Sequence, residues 1–339
     1  MTLSFANDDN SNAPLYYIEV TLSANDGNGF QQLINWNPSS YSSYLNTDCQ
    51  NHNWQDGAGN LLYSWFETPS ATSSSTSVYE WVVLPNGTTT TIYLVFTGTA
   101  TSSYSTAHTG VQPNYSSTYA QYDNGASVFT SLYQNFAGTS TPTGWSSNGT
   151  TNQNNGVSPT AQGSYIYTSS SYTPPLSATL DTIAKAPTTS AASNPAWFLM
   201  GFTSTSNYGI TVYPITSAGW AGPSPFSVYF WVGNGSAAGE HAMTAGTGID
   251  VYSVVWDSTS SVSAYTDYGT AVSVTTDIPS TAEPIVIGTT QTNAVSPSAN
   301  AIVYVVRLRT TPSNGTMPTT TFGSVTPITL PYTSALLYY

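Results

Sequence analysis

Apolar and polar residues alternate with a period of two along almost every ordered stretch of this chain, and Gly, Pro, Asn or Ser bounds each stretch. That period puts successive side chains on opposite faces of a strand. Within 15–22, Tyr16, Ile18, Val20 and Leu22 share one face. Ile92, Leu94 and Phe96 alternate with Tyr93 and Val95, and Val228, Phe230 and Val232 alternate with Tyr229 and Trp231. The runs 249–256 and 302–308 follow the same rule, and no long window carries an amphipathic helical period. The pattern predicts an all-β chain of antiparallel strands.

The strand signals divide into two series. A Thr/Ser/Tyr-rich stretch from Gly98 to Tyr122 separates them and reads as a connector pinned by its tyrosines. The expected organisation is an N-terminal β-sandwich over 1–98, the connector over 99–122, a second sandwich over 123–325 and an apolar tail over 326–339.

Composition narrows the setting. Charged residues make up 6% of the 339-residue chain, with 3 Lys plus Arg against 16 Asp plus Glu, where an ordinary protein is about a quarter charged. Hydroxyls and amides must keep such a surface wet, and few ion pairs remain for acid to break. The expectation is an extracellular protein, at a cell or virion surface, tolerant of acid and heat. A formal charge of −13 at pH 7 excludes the basic footprint that nucleic acid requires. No apolar run reaches the length of a membrane span. Expected partners are copies of the chain, other surface or virion proteins, and neutral glycans. Residues 1–12 show neither a basic nor an apolar leader region, which fits either a leader already removed or release by lysis. Cys49 is the single cysteine, so no disulfide forms within the chain.

Two stretches carry a family resemblance. One holds SSYLNTDCQNHNWQDGAGNLLYSWFE and then EWVVLPNGTTTTIYLVFTG; the other joins YDNGASVFTSLYQNFAGTSTPTGW to VYVVRLRTTPSNGTMPTTTFGSV. In that order they resemble archaeal surface proteins that pair a small β domain of unknown function with a concanavalin A-like, laminin-G-like jelly roll. The resemblance implies two β-sandwiches in series, the second a concanavalin-like jelly roll, in an extracellular setting. It implies no catalytic residues.

Five Asn-x-Ser/Thr sequons, at Asn86, Asn114, Asn148, Asn234 and Asn314, are glycosylation candidates, and all but Asn114 precede a turn-forming Gly. Glycoside hydrolysis needs two carboxylates about 5–9 Å apart. Glu19, Glu67, Glu80, Glu240 and Glu283 are scattered, and Asp250 and Asp257 face opposite sides of their strand. No catalytic residue is therefore assigned and the chain is expected not to be an enzyme. An acid-stable glycoside hydrolase, or an acid peptidase using Glu240 beside His241 in a Gly/Ala loop, is the minor enzymatic alternative. A sugar-binding module is the other alternative: Trp220, in a Gly/Pro loop, and Trp197 are its stacking candidates, while Trp231 and Trp256 read as packed within strands. No cofactor is expected; Ca²⁺ at Asp8–Asn10, at Asp56 with Asn60, or at Asp123–Gly125 is the residual possibility, weighed against their use as turn formers. Arg307 and Arg309 share one strand face and invite a carboxylate partner inside an interface, with a simple solvent-facing pair as the default reading. The tail residues Ile328, Leu330, Leu336, Leu337, Tyr338 and Tyr339 are apolar enough to dock on a neighbouring copy by strand addition or back onto their own domain. The leading expectation is a non-enzymatic structural or adhesion protein of an archaeal exterior, glycosylated, either a virion component or a filament or coat subunit.

Overall fold

The computed structural model describes residues 14–68, 71–98, 107–115, 118–149, 151–152, 155–159, 163–185, 199–205, 208–215, 227–244, 248–288 and 301–328. Strands dominate them. The helical elements among these residues are two four-residue turns, Pro38–Tyr41 and Gly125–Val128. The chain divides into two compact units, one formed by 1–116, 121–128 and 312–339, the other by 117–120 and 129–311.

The first unit is a sandwich of a six-stranded and a four-stranded sheet. In the larger sheet Pro14–Leu22 pairs antiparallel with Thr91–Thr97, which pairs in turn with His52–Gln55. In the smaller, Gln31–Trp36 pairs with Val78–Val83, which pairs with Ser64–Phe66. Ile18, Val20, Leu94 and Phe96 from one sheet meet Ile34, Trp36, Phe66 and Val82 from the other in one buried cluster. The predicted period-two pattern supplies Ile18, Val20, Leu94 and Phe96 directly.

The connector is not a separate element. Thr109–Val111 adds to Ser64–Phe66 as a parallel strand, the one parallel pairing among the described strands. The Tyr115 hydroxyl donates to the carbonyls of Ala71 at 2.8 Å and Asp48 at 3.1 Å. Gly110 is required at this seam, because a Cβ there would stand 2.8 Å from the backbone nitrogen of Asn124 and closer still to its amide group. Gly110→Ala is expected to cost about 1–3 kcal/mol through overpacking, read as a lower urea midpoint for this unit; an unchanged midpoint would contradict the close packing.

The chain also returns to this unit late. Residues 312–328 leave the second unit, and Thr320–Phe322 and Thr326–Pro327 pair with Pro14–Leu22. The second domain therefore ends near Thr311, rather than at 325. Ile328 N–H donates to the Leu15 carbonyl at 2.9 Å, so Ile328 docks on its own unit instead of reaching a neighbour. Leu330, Leu336, Leu337, Tyr338 and Tyr339 lie outside the described residues.

The second unit is a sandwich of seven-stranded and six-stranded antiparallel sheets with a two-stranded ribbon. The seven-stranded sheet runs Trp145–Asn148, Tyr165–Tyr172, Glu283–Gly288, Leu199–Thr205, Tyr208–Ile215, Ser227–Asn234, Ala238–Met243. The six-stranded sheet runs Val272–Val274, Val262–Thr266, Ile249–Val255, Ala178–Lys185, Ile302–Thr310, Leu132–Gln134. Phe202, Val212 and Phe230 of the first meet Leu180, Val254 and Val306 of the second in the core. Trp256 is fully buried there, its ring centroid 5.3 Å from that of Phe202.

Candidate functional site

The face of each second-unit sheet that points away from the core holds the chemistry. On the six-stranded sheet, Asp181, Ser253, Arg307 and Arg309 occupy positions that alternate with core residues Leu180, Val254, Val306 and Leu308. Register aligns them directly: Asp181 lies opposite Ser253 on one side and Arg307 on the other. Asp181 Oδ2 accepts from Arg307 Nε at 3.0 Å, Arg307 Nη2 at 2.9 Å and Arg309 Nε at 2.9 Å, while Oδ1 accepts from the Ser253 hydroxyl at 2.7 Å. The arginines also donate to the hydroxyls of Tyr268 and Tyr265, and Arg307 lies 4.4 Å from the centroid of the Phe129 ring, which stacks on Tyr133.

These four aromatic side chains explain how two arginines can be 0% and 2% exposed. Burial alone would raise the Asp181 carboxyl, but the charges of Arg309 and Arg307 and the Ser253 hydroxyl outweigh it and hold the group below the usual carboxylate range. Burial likewise opposes the Arg309 charge, and Asp181 reverses that and fixes the guanidinium as a cation. Arg307 and Arg309 are thus an internal clamp, and their assignment to an assembly surface is corrected. Asp181, with its oxygens committed to these donors, has no role open to it as a general acid or base.

The seven-stranded sheet presents a different face. Ile166, Phe202, Val212, Phe230, Ile285 and Ile287 point into the core, so Tyr165, Tyr167, Gly201, Thr203, Thr211, Tyr229, Trp231 and Val286 point away. The register draws one continuous row across it: Tyr167 opposite Val286, Val286 opposite Gly201, Gly201 opposite Thr211, Thr211 opposite Trp231, Trp231 opposite Glu240. Tyr165, Tyr167, Tyr229 and Trp231 are half-buried, whereas Thr203 and Thr211 are buried. The Thr211 hydroxyl has no hydrogen-bond partner. Tyr165 and Tyr167 stand side by side, with ring centroids 5.6 Å apart at 44°.

Alternation alone left Trp231 as a packed strand residue; in the structure it is one wall of this row. The row was missed because no periodicity says which face of a two-sided strand is covered. Glu240 lies within the Ala238–Met243 edge strand rather than in a loop. Trp197 and Trp220 fall outside the described residues.

Three sequons, at Asn86, Asn148 and Asn314, are exposed, and Asn234 is half-buried. The amide atoms of Asn114 are enclosed and unbonded, beside the anchored Tyr115, which removes Asn114 from the glycosylation candidates in the folded chain. Asp56 accepts from the N–H groups of Ala58 and Asn60, and Asp123 from Trp65 Nε1 and Gly125 N–H, so both act as turn and packing acceptors. Asp8–Asn10 lies outside the described residues. Among the described residues no group of three or more His, Cys, Asp or Glu is placed to hold a metal ion, and no helix is long and apolar enough to cross a membrane.

The first unit buries a second ionic group. His52 Nδ1–H donates to the Cys49 carbonyl at 2.6 Å, and Nε2 faces both Glu80 oxygens at 3.0 and 3.1 Å. Because the carbonyl can only accept, Nδ1 carries a proton, and a further proton is shared between Nε2 and the carboxylate. Trp36 Nε1 donates to the same carboxylate at 3.2 Å. Burial, followed by the nearby Glu80 and Asp48, pushes the Cys49 thiol up to about 12. The thiolate is the reactive form, so Cys49 is expected to resist alkylation at pH 8 in the native chain and to react fully in denaturant, read by intact mass. Rapid native labelling would contradict its burial.

No family model matches the chain. A protein of Sulfolobus islandicus rod-shaped virus 1 with the name Uncharacterized protein 562 is 36% identical over 124 residues, covering 34% of this chain and 20% of the viral protein. The chain thus matches about a fifth of the length of that relative. Among solved structures, a β-1,3-glucanase from Mycobacterium marinum covers 52% of this chain and 97% of its own, at 15% identity and a TM-score of 0.38. The Bacillus licheniformis β-glucanase covers 52% and 97% at 16% identity and 0.35. The CBM2 module of the evolved Dit of Lactobacillus casei BL23 phage J-1 covers 53% and 94% at 10% identity and 0.39. These are likenesses of fold.

Proposed function

We propose that the protein is a non-enzymatic structural and adhesion component of an archaeal exterior, and specifically of a virion surface. The observation that carries the non-enzymatic part is the state of the two outer sheet faces. On one, Asp181 is locked between two arginines. On the other, the central strand offers Gly and Thr at positions 201 and 203, and among the described residues the row across it holds a carboxylate only at its end, Glu240. Neither arrangement supplies the two carboxylates, about 5–9 Å apart, that glycoside hydrolysis uses.

The viral part is supported by the partial likeness to a rod-shaped virus protein and by the exterior itself. A surface carried by Ser, Thr, Asn and Tyr keeps its character as acid titrates carboxylates, which suits a particle exposed to a hot acidic medium. Exposed sequons at Asn86, Asn148 and Asn314 give it sites for a protective glycan coat. Negative-stain electron microscopy of native material purified at acidic pH tests the reading. Filaments, sheets or decorated particles are expected; uniformly dispersed molecules would overturn it.

A further inference from the structure

The loop 85–90 of the first unit is held as a rigid platform. The Asn25 amide donates to the carbonyls of Asn86 at 2.6 Å and Thr89 at 2.8 Å, and Leu22 N–H donates to the Thr90 carbonyl at 2.8 Å. On this platform the exposed Asn86 side chain is preset. Its Oδ1 accepts from Thr88 N–H at 3.0 Å, from the Thr88 hydroxyl at 2.7 Å and from the Thr89 hydroxyl at 3.1 Å. Its Nδ2 has no partner among the described residues. The other exposed or half-buried sequons are engaged differently. Asn148 Nδ2 donates to the Gly163 carbonyl at 3.3 Å and Asn234 Nδ2 to Asp277 at 3.5 Å, while Asn314 Oδ1 accepts from the backbone N–H of Thr316 at 2.9 Å.

Asn86 also stands on a groove. An open depression of about 370 Å³ lies between the turn 56–58 and the threonine run 88–91, and Asn86 lines it. Small-molecule sites occupy about 300–1,000 Å³, so the space is sufficient for a small ligand. Four consecutive threonines form one side. Asp56 is on the other, its oxygens accepting from the N–H groups of Ala58 and Asn60 and from the Asn60 amide. Such walls offer hydrogen bonds more than apolar area, which suits a hydroxyl-rich occupant but holds a free one weakly. An occupant attached to Asn86 needs little affinity, because a tether raises its local concentration to the millimolar range.

We propose that Asn86 is the principal N-glycosylation site of the folded chain and that the adjacent groove seats the first sugars of its glycan. In the transfer, Nδ2 forms a bond to the anomeric carbon of a phosphate-activated glycan as the bond from that carbon to the phosphate oxygen breaks. The displaced N–H proton passes to a base of the host transferase. The three donors on Oδ1 stabilise the negative charge that builds there as Nδ2 sheds its proton. The inference rests on the reading of a glycan-bearing exterior and names the residue and the groove that carry the glycan.

Glycopeptide mass spectrometry of the native full chain tests the site and needs no variant. Asn86 is expected to be glycosylated in most copies, and in a larger fraction than Asn148, Asn234 or Asn314. In chain expressed in an archaeal host, Thr88→Val is expected to abolish the Asn86 glycan and Thr88→Ser to keep it, with thermal unfolding checking that each variant folds. Hydrogen exchange tests the groove. Amides of 56–60 and 88–91 are expected to exchange about threefold or more slowly in the glycosylated chain than in the same chain made without glycans in bacteria, while second-unit segments stay unchanged. Thr90→Val, which keeps the shape of the wall and removes a hydroxyl, is expected to keep the glycan and lose part of that protection. Asn86 bare in the native chain, or less occupied than another sequon, would overturn the inference, as would exchange in the two segments that the glycan leaves unaltered. Particles built from chains bare at Asn86 would sink this inference alone; a glycosylated Asn86 on chains that form no particle would sink the structural reading and leave the site standing.

Discussion

Replacing Asp181 by asparagine is expected to lower the unfolding temperature of the second unit by roughly 6–20 °C. The substitution keeps the shape of the side chain but leaves Arg307 and Arg309, both buried, without their shared anion. Removing one partner of a buried ion group costs about 3–5 kcal/mol, and each kcal/mol moves the midpoint of a domain this size by about 2–4 °C. Calorimetry reads the shift. The complementary variant, with Asp181→Leu, Arg307→Met and Arg309→Met together, removes both the attraction and its desolvation cost. It is expected to match or exceed the parent, as buried ion triads replaced by apolar residues do. A destabilised triple variant would show that the clamp contributes more than mutual compensation.

The same clamp sets an acid limit. The Asp181 carboxyl titrates below its ordinary range in the folded chain, so its contribution is present above about pH 4. It is lost only as the pH falls through the lower, folded value. The second unit is therefore expected to hold its stability from pH 7 down to about 4 and to lose it below, and Asp181→Asn is expected to flatten that acid loss. An Asp181→Asn variant whose stability falls with acid as steeply as the parent's would assign the loss to other carboxylates.

The second large effect concerns the first unit. His52→Ala strands the buried Glu80 carboxylate with the Trp36 indole as its remaining side-chain donor in this cluster. The expected loss is about 3–5 kcal/mol. Cys49, which neighbours His52 through its carbonyl, provides the readout. Its alkylation at pH 8 should accelerate by about two to almost four powers of ten, because labelling then reports the raised population of opened molecules. Unchanged labelling would mean that the pair is not a keystone of this sandwich.

These two ionic groups show where sequence reading stops. The strands were legible because each buried face repeats every second residue, and the five runs singled out correspond to strands within one or two residues at their ends. Pairings between distant positions were not. Asp181 and Arg307 meet because two strands 126 residues apart in sequence are neighbours in one sheet. His52 and Glu80 meet because they sit on facing sheets. Arg307 and Arg309 were correctly placed on one strand face with an invitation to a carboxylate, yet alternation could not reveal that Phe129, Tyr133, Tyr265 and Tyr268 close over them.

Domain boundaries failed for a related reason. Thr320–Phe322 completes a sheet begun by Pro14–Leu22, and nothing in the local composition of 312–328 marks a return across the whole chain. The Ser/Thr/Tyr stretch looked like a linker because its strand, Thr109–Val111, is only three residues long and carries a glycine at its centre. The aromatic row was half legible: Tyr229 and Trp231 were seen as one alternating face, but their alignment with Thr211, Gly201 and Tyr167 exists only in the register.

The central claim is that this chain is exposed on a virus particle. Immunogold electron microscopy, with antibodies raised against the purified chain and applied to intact purified particles, tests it most directly. The account predicts gold on the outside of unbroken particles. Gold that appears only after particles are disrupted, or only on host cells and their secreted material, would contradict it.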